Sequence, residues 1–189
     1  MTTQLSSEER TYLLILARDS ITKAVLNQPL PEIDRESLPP ALSQPGASFV
    51  TLTIEGDLRG CIGSLEAYQS LVNDVQERAV QAALEDYRFP PLSAEEIDLV
   101  KIEISRLTPP VPLKYDTPEE LPNLLKPGED GVILQQGLRR ATFLPQVWEQ
   151  LPDPEVFLSH LCAKMGASPN LWRNTMLQVG IYHVEEFHE

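Results

Sequence analysis

Ser48-Phe49-Val50-Thr51-Leu52-Thr53-Ile54, then Glu55-Gly56-Asp57, then Leu58-Arg59-Gly60-Cys61-Ile62-Gly63: the reading of these sixteen consecutive residues decides the fold. Val50, Leu52 and Ile54 alternate with Phe49, Thr51 and Thr53, which is the period of a strand with one buried face. Glu55-Gly56-Asp57 supplies a turn, so the hexapeptide Leu58 to Gly63 returns as the second arm of a hairpin. Strict alternation puts Leu58, Gly60 and Ile62 on one face, with Leu58 and Ile62 toward the core, and Arg59, Cys61 and Gly63 on the other. Arg59 and Cys61 then share a face about 7 Å apart at their Cα atoms, and a cation near a thiol favours its thiolate. Two glycines in six strand residues mark a bulge, a bend, or a surface that backbone or ligand approaches closely.

Upstream, Ser6 and Glu9 have capping-box spacing, and Leu13, Leu16, Ala17, Ile21, Ala24 and Val25 recur at helical period as far as Asn27. Pro29, Pro31, Pro39 and Pro40 force residues 28–44 into an extended connector. Downstream, Ser70 caps a helix running through Asp86, which Asp86-Tyr87-Arg88-Phe89-Pro90-Pro91 terminates. Ser93 and Glu96 cap a single turn before a strand in which Val100, Ile102 and Ile104 alternate with Lys101, Glu103 and Ser105. Thr117, Pro118 and Glu120 open a short helix. A second hairpin joins Gly131–Gln135 to Arg139–Leu144, and Asp153-Pro154 opens a helix with core positions Phe157, Leu158, Leu161, Cys162 and Met165 and a stop at Gly166. A single last strand is predicted from Thr175 to Phe187. Helices and hairpins mix without βαβ alternation, so the predicted class is α+β, a largely antiparallel or mixed sheet with flanking helices.

At 189 residues the chain is long enough for a sizeable core, and its net charge of −13 opposes a phosphate backbone, which disfavours nucleic acid as a partner. Cys61 and Cys162 form no disulfide framework, which points to a reducing cytoplasm. No apolar run approaches the ~20 residues of a membrane span. No Walker loop, dinucleotide fingerprint, nucleophile elbow or HExxH helix is present, so no cofactor is expected. His160 and Cys162 stand two apart on a helix and do not face the same side, so no metal site is expected either.

The hexapeptide, Arg88-Phe89-Pro90-Pro91-Leu92, Glu103-Ile104-Ser105, Gly131-Val132-Ile133-Leu134 and Phe143-Leu144-Pro145-Gln146-Val147, in that order, resemble the AMMECR family. The prokaryotic form is called AmmeMemoRadiSam system protein A, and the match runs from about Ser48 to Val184. The resemblance implies one AMMECR-type domain over residues 1–189, an α+β unit of a larger α/β lobe and a smaller lobe, with the hexapeptide near their junction. The Pro-rich connector and residues 106–130 are the candidate material for the smaller lobe. It also implies radical SAM and Memo-like proteins as partners, and no particular reaction.

Two functions follow. In one, the hexapeptide holds a small molecule, a peptide or a partner protein through Arg59, Gly60, Gly63, Asp86, Arg88 and Glu103, with Cys61 as packing. In the other, Cys61 is the nucleophile or redox thiol of an enzyme, with His160, His183 and His188 as the available bases. Asp86 and Arg88 read either as an ion pair that pins the turn or as substrate contacts. Glu103 reads either as a solvated residue or as a cross-sheet partner of Arg59.

Overall fold

The predicted hairpin forms as β1 (Pro45–Ile54) and β2 (Asp57–Gly63), joined through Glu55 and Gly56, both at positive φ as a two-residue type I′ connection requires. It belongs to a computed structural model that describes residues 4–189. β1 also pairs antiparallel with β4 (Lys101–Leu107), and its first residues pair with the two-residue strand β3 (Gln69–Ser70). With β9 (Val184–His188) the main order is β2-β1-β4-β9.

One face of this sheet is apolar because β1 and β4 align their alternation: Val50 stands opposite Ile104 and Leu52 opposite Ile102, all fully buried. Two helices cover that face. The first, α1 (Ser7–Val25), starts with the expected Ser6/Glu9 capping box and buries Leu13, Leu16, Ala17 and Ile21. After the short α2 (Pro40–Ser43) comes α3 (Leu71–Leu84), whose stripe of Val72, Val75, Ala79 and Ala82 brings small side chains against the strands. Ser70 occupies the cap position without a side-chain hydrogen bond, and the helix ends at Leu84, two residues before the predicted Asp86.

Contacts divide the chain into two compact units, residues 1–108 with 185–189, and residues 109–184. The Pro-rich connector lies in the first unit, so the smaller one is not assembled from it. In that second unit β6 (Gly131–Gln136) and β7 (Arg139–Phe143) form the expected hairpin, and β5 (Val111–Pro112) and β8 (Gln178–Tyr182) complete the antiparallel order β5-β8-β6-β7. Val132, Leu134 and Val179 pack with α5 (Pro154–Lys164), which Asp153 caps, and with α4 (Leu121–Leu124) and α6 (Leu171–Asn174). Trp148 stacks on Phe157 at 3.7 Å between ring centroids. Cys162 is core, as its helical position predicts.

The single last strand is corrected: it breaks at His183, and β8 and β9 join different sheets. Alternation along residues 175–187 carries no mark of that change of partner.

A buried carboxylate ties α3 to β1. Asp74, fully buried, accepts from the Ser48 backbone N–H at 2.8 Å and from Ser48 Oγ at 2.7 Å, with Arg78 alongside at 3.4 Å. Burial raises its pKa despite these partners. The associated stability is therefore complete below the unfolded value of ~4 and declines as pH rises through the folded value. Asp74→Ala orphans both Ser48 donors and is expected to cost about 3 kcal/mol. Asp74→Asn keeps an acceptor, costs less, and its deficit narrows between pH 4 and pH 7 when urea midpoints are compared.

Candidate functional site

The hexapeptide is the edge strand of its sheet, and most of its groups are engaged within the first unit. Gly60 faces α3 so closely that a Cβ there would stand 2.1 Å from the Ala82 carbonyl oxygen. Gly63 lies under its cross-strand partner Phe49, whose ring would be 2.2 Å from such a Cβ. Each glycine thus admits a neighbour from the same chain.

The β1–β2 register shifts between Leu52, which faces Gly60, and Thr53, which faces Leu58, leaving Arg59 as the extra residue of a bulge. Two expectations from strict alternation are corrected by it. Leu58 moves to the Thr53 side and is 43% exposed, not core. Arg59 does not serve the thiol; its guanidinium makes a bidentate pair with Glu96 (Nε to Oε1 2.7 Å, Nη2 to Oε2 3.0 Å) and donates to the Pro90 carbonyl at 3.0 Å. Arg59 therefore pairs with Glu96 and not with Glu103. Glu96 also caps its own turn by accepting from the Ser93 N–H, and the Arg59 pairing, with that bond, pulls its pKa down to about 2.

Asp86 and Arg88 close the outer edge of β2. Cys61 is opposite Thr51, and its own N–H and C=O point away from β1. The Cys61 N–H donates to Asp86 Oδ2 at 2.8 Å, and Arg88 Nη2 donates to the Cys61 carbonyl at 3.1 Å. Asp86 and Arg88 meanwhile pair with each other through Nε at 2.9 Å and Nη2 at 2.6 Å. The turn-pinning reading of this pair is thus observed, and the turn pins the hexapeptide as well. Arg88, then burial-opposed backbone donation from Cys61, hold the Asp86 carboxyl well below the usual carboxylate range, and Asp86 in turn raises Arg88. Phe89 lies under both guanidinium groups, 6.0 Å from Arg59 and 5.6 Å from Arg88.

Cys61 and Leu58 are the hexapeptide side chains on the face away from α1 and α3. Register places Cys61, Thr51 and Glu103 in one row across β2, β1 and β4, on the face opposite α1 and α3. All three are half-buried, and Thr51 Oγ1 donates to Cys61 Sγ at 3.3 Å. Leu58, Thr53 and Lys101 form the next row, and Gly63, Phe49 and Ser105 the one on the other side. Among the described residues no imidazole hydrogen-bonds Cys61: His160, His183 and His188 are exposed, and His183 Nε2 sits 3.1 Å from Asp130 Oδ1. Among the described residues no cluster of three histidine, cysteine or acidic side chains is placed to hold a metal, and no helix is long and apolar enough to cross a membrane.

The sequence reading missed Thr51, Glu96 as the partner of Arg59, and the buried Asp74. For Glu96 a signal existed, since a capping carboxylate uses one face and has another to offer. The family model AMMECR1 matches residues 14–187. The chain belongs to the AMMECR1 family. Two archaeal relatives of this AMMECR1 chain, each carrying only the name "Protein", come from Thermofilum pendens and Methanothermobacter thermautotrophicus. Both are 38% identical over 98% of this chain, covering 92% and 96% of their own lengths. The crystal structure of an uncharacterized protein from Pyrococcus horikoshii is similar at 34% identity with a TM-score of 0.75, covering 98% of this chain and 93% of that one. The AMMECR1 match thus runs through both units, and the α+β fold is shared with a solved relative.

Proposed function

We propose that this AMMECR1-family chain is a binding component of the AmmeMemoRadiSam type, working with radical SAM and Memo-like proteins. Its ligand or partner is met on the sheet face that carries Cys61, Thr51 and Glu103. The observation that supports this reading is the division of roles around β2. Arg59, Gly60, Asp86 and Arg88 are used inside the first unit, whereas a thiol, a hydroxyl and a carboxylate stand in one row on a face that bears neither α1 nor α3. Leu58 at the edge adds exposed apolar surface on the same side. A row of this kind offers hydrogen-bond groups and one charge for recognition, and a small apolar contact for affinity.

The test is co-purification of the tagged chain with radical SAM and Memo-like proteins of the same genome. Wild type is expected to retain at least one of them, and Glu103→Lys to lose about tenfold in retention while its melting temperature moves by no more than about 2 °C. Retention of neither protein, or equal retention by Glu103→Lys, overturns the proposal.

A second reading, cysteine-dependent chemistry, is favoured by one observation: the Cys61 thiol is half-buried on the face away from α1 and α3 and accepts the Thr51 hydroxyl. It predicts that iodoacetamide alkylates Cys61 in the native protein faster than it alkylates an unstructured cysteine peptide, with buried Cys162 reacting only on unfolding. Equal or slower reaction of Cys61 removes this reading and leaves the binding proposal standing.

A further inference from the structure

The second unit carries a cavity that the reading above does not use. It is an open cleft of about 690 Å3 on the β5-β8-β6-β7 sheet, within the range of about 300–1,000 Å3 seen for small-molecule sites. Cross-strand register organises its floor into two rows. One row is apolar and runs Pro112, Gly180, Ile133. The other contains Gln178, Gln135 and Arg140. The Leu113 N–H bonds the Val179 carbonyl at 2.8 Å, which holds the chain just beyond β5 against β8, and Lys114 follows it in the cavity lining. The polar row Gln178, Gln135, Arg140 spans about 10 Å across three strands at the usual strand spacing, with Lys114 lining the cavity on the β5 side. Val111 and Met176, both exposed, form the apolar rim. Tyr115 fixes one wall, its hydroxyl accepting from the Leu177 N–H at 2.7 Å and donating to the Leu177 carbonyl at 2.9 Å.

Gly180 is the second observation that points to a ligand. Gly46, Gly60, Gly63 and Gly131 also lie in strands, and a Cβ on any of them would stand within 2.7 Å of a neighbour. At Gly180 a Cβ would meet nothing nearer than 3.6 Å, ordinary contact with Ile133. Packing does not demand glycine there, and glycine weakens a strand; what its missing side chain provides is depth in the middle of the floor. Charge is the third. The chain as a whole carries −13, yet the cavity is lined by Lys114 and Arg140 against the one carboxylate of Asp116.

We propose that this cavity binds an anionic small molecule with a flat apolar body. The anionic group lies at Arg140 beside the Gln135 amide, where a planar guanidinium can take a carboxylate, sulfonate or phosphate oxygen pair. The flat body lies over Gly180 between Ile133 and Pro112, and Lys114 receives a second negative group when the ligand has one. The site belongs to the second unit and stands independently of the role assigned to Cys61, Thr51 and Glu103.

The test uses the full chain and two fluorescent probes of nearly the same shape, 8-anilinonaphthalene-1-sulfonate and its uncharged analogue N-phenyl-1-naphthylamine. The sulfonate is expected to bind the native protein saturably at one site and the neutral probe about tenfold more weakly. Arg140→Gln should weaken the sulfonate about tenfold and leave the neutral probe unchanged. Gly180→Val should abolish binding of both while the melting temperature holds or rises, because valine suits a strand and its Cβ has room. Glu103→Lys should leave both titrations unchanged, which separates this result from the co-purification assay. Equal affinity for the two probes, or undiminished binding in Gly180→Val, overturns the proposal. So does a concentration-dependent dimer that Gly180→Val dissolves, since the occupant would then be a second copy of the chain.

Discussion

Gly60→Ala is expected to lower stability by about 3 kcal/mol or more and the melting temperature by about 10 °C. The added methyl would stand 2.1 Å from the Ala82 carbonyl oxygen and 3.1 Å from its carbon. Both atoms belong to the backbone of α3, so no side-chain rotation relieves the clash, and the helix has to withdraw from β2. Withdrawal would loosen Val75, Ala79 and Ala82 against Leu52, all four at or below 1% exposure, and a gap of even half an ångström forfeits a good part of each contact. Gly63→Ala is the control of equal chemistry. Its nearest atoms belong to the Phe49 ring, which is half-buried and can swing aside, so the loss there is expected to be smaller. Urea midpoints of the two variants give the order. Were Gly60→Ala as stable as wild type, the close approach would not be what glycine serves at that position, and a ligand-facing role for Gly60 would return.

That comparison shows why the first half of the chain read well and its key residue pair did not. Alternation and turn chemistry are local, so β1, the Glu55-Gly56 turn, the Ser6/Glu9 capping box and the Ala-rich stripe of α3 were legible from spacing. A bulge is not local. Arg59 leaves the period only because Leu52 pairs with Gly60 and Thr53 with Leu58, a matter of which strand atoms meet. The sequence mark was present in Gly60, but it admits several devices, and alternation sent Arg59 to the thiol and Leu58 to the core. The partners of Arg59 and Cys61 come from 25 to 37 positions away, at Asp86 and Glu96. In those segments the residues already had sufficient local explanations, one as a turn and one as a cap. Asp74 was hidden for the same reason: an acid in the first turn of a helix is explained by the helix dipole, and nothing nearby announces Ser48.

Asp86→Ala is expected to be nearly as damaging as Gly60→Ala, at about 3 kcal/mol, and it carries a pH signature that the glycine variant lacks. Asp86 is 4% exposed and accepts four hydrogen bonds, from the Cys61 N–H and from the Arg88 N–H, Nε and Nη2. Alanine leaves the Cys61 donor on an edge strand without its partner and frees the guanidinium that holds the Cys61 carbonyl. Because the folded-state pKa of Asp86 is depressed, its contribution is complete above the unfolded value of ~3.9 and is lost as pH falls through the folded value. Glu96 has the same sign, with a folded value of about 2. Wild type should therefore lose stability steeply below about pH 4. Asp86→Asn, already without that carboxylate, should start lower at pH 7 and fall less over the same window, and adding Glu96→Gln should flatten the acid limb further. Denaturant midpoints at pH 7, 4 and 3 measure all three. A parallel decline of wild type and Asp86→Asn would mean that the Asp86–Arg88 pair does not close the edge of β2 in solution. The hexapeptide backbone would then be open to a partner strand along its outer edge, and the recognition surface would move from the Cys61–Thr51–Glu103 face to that edge.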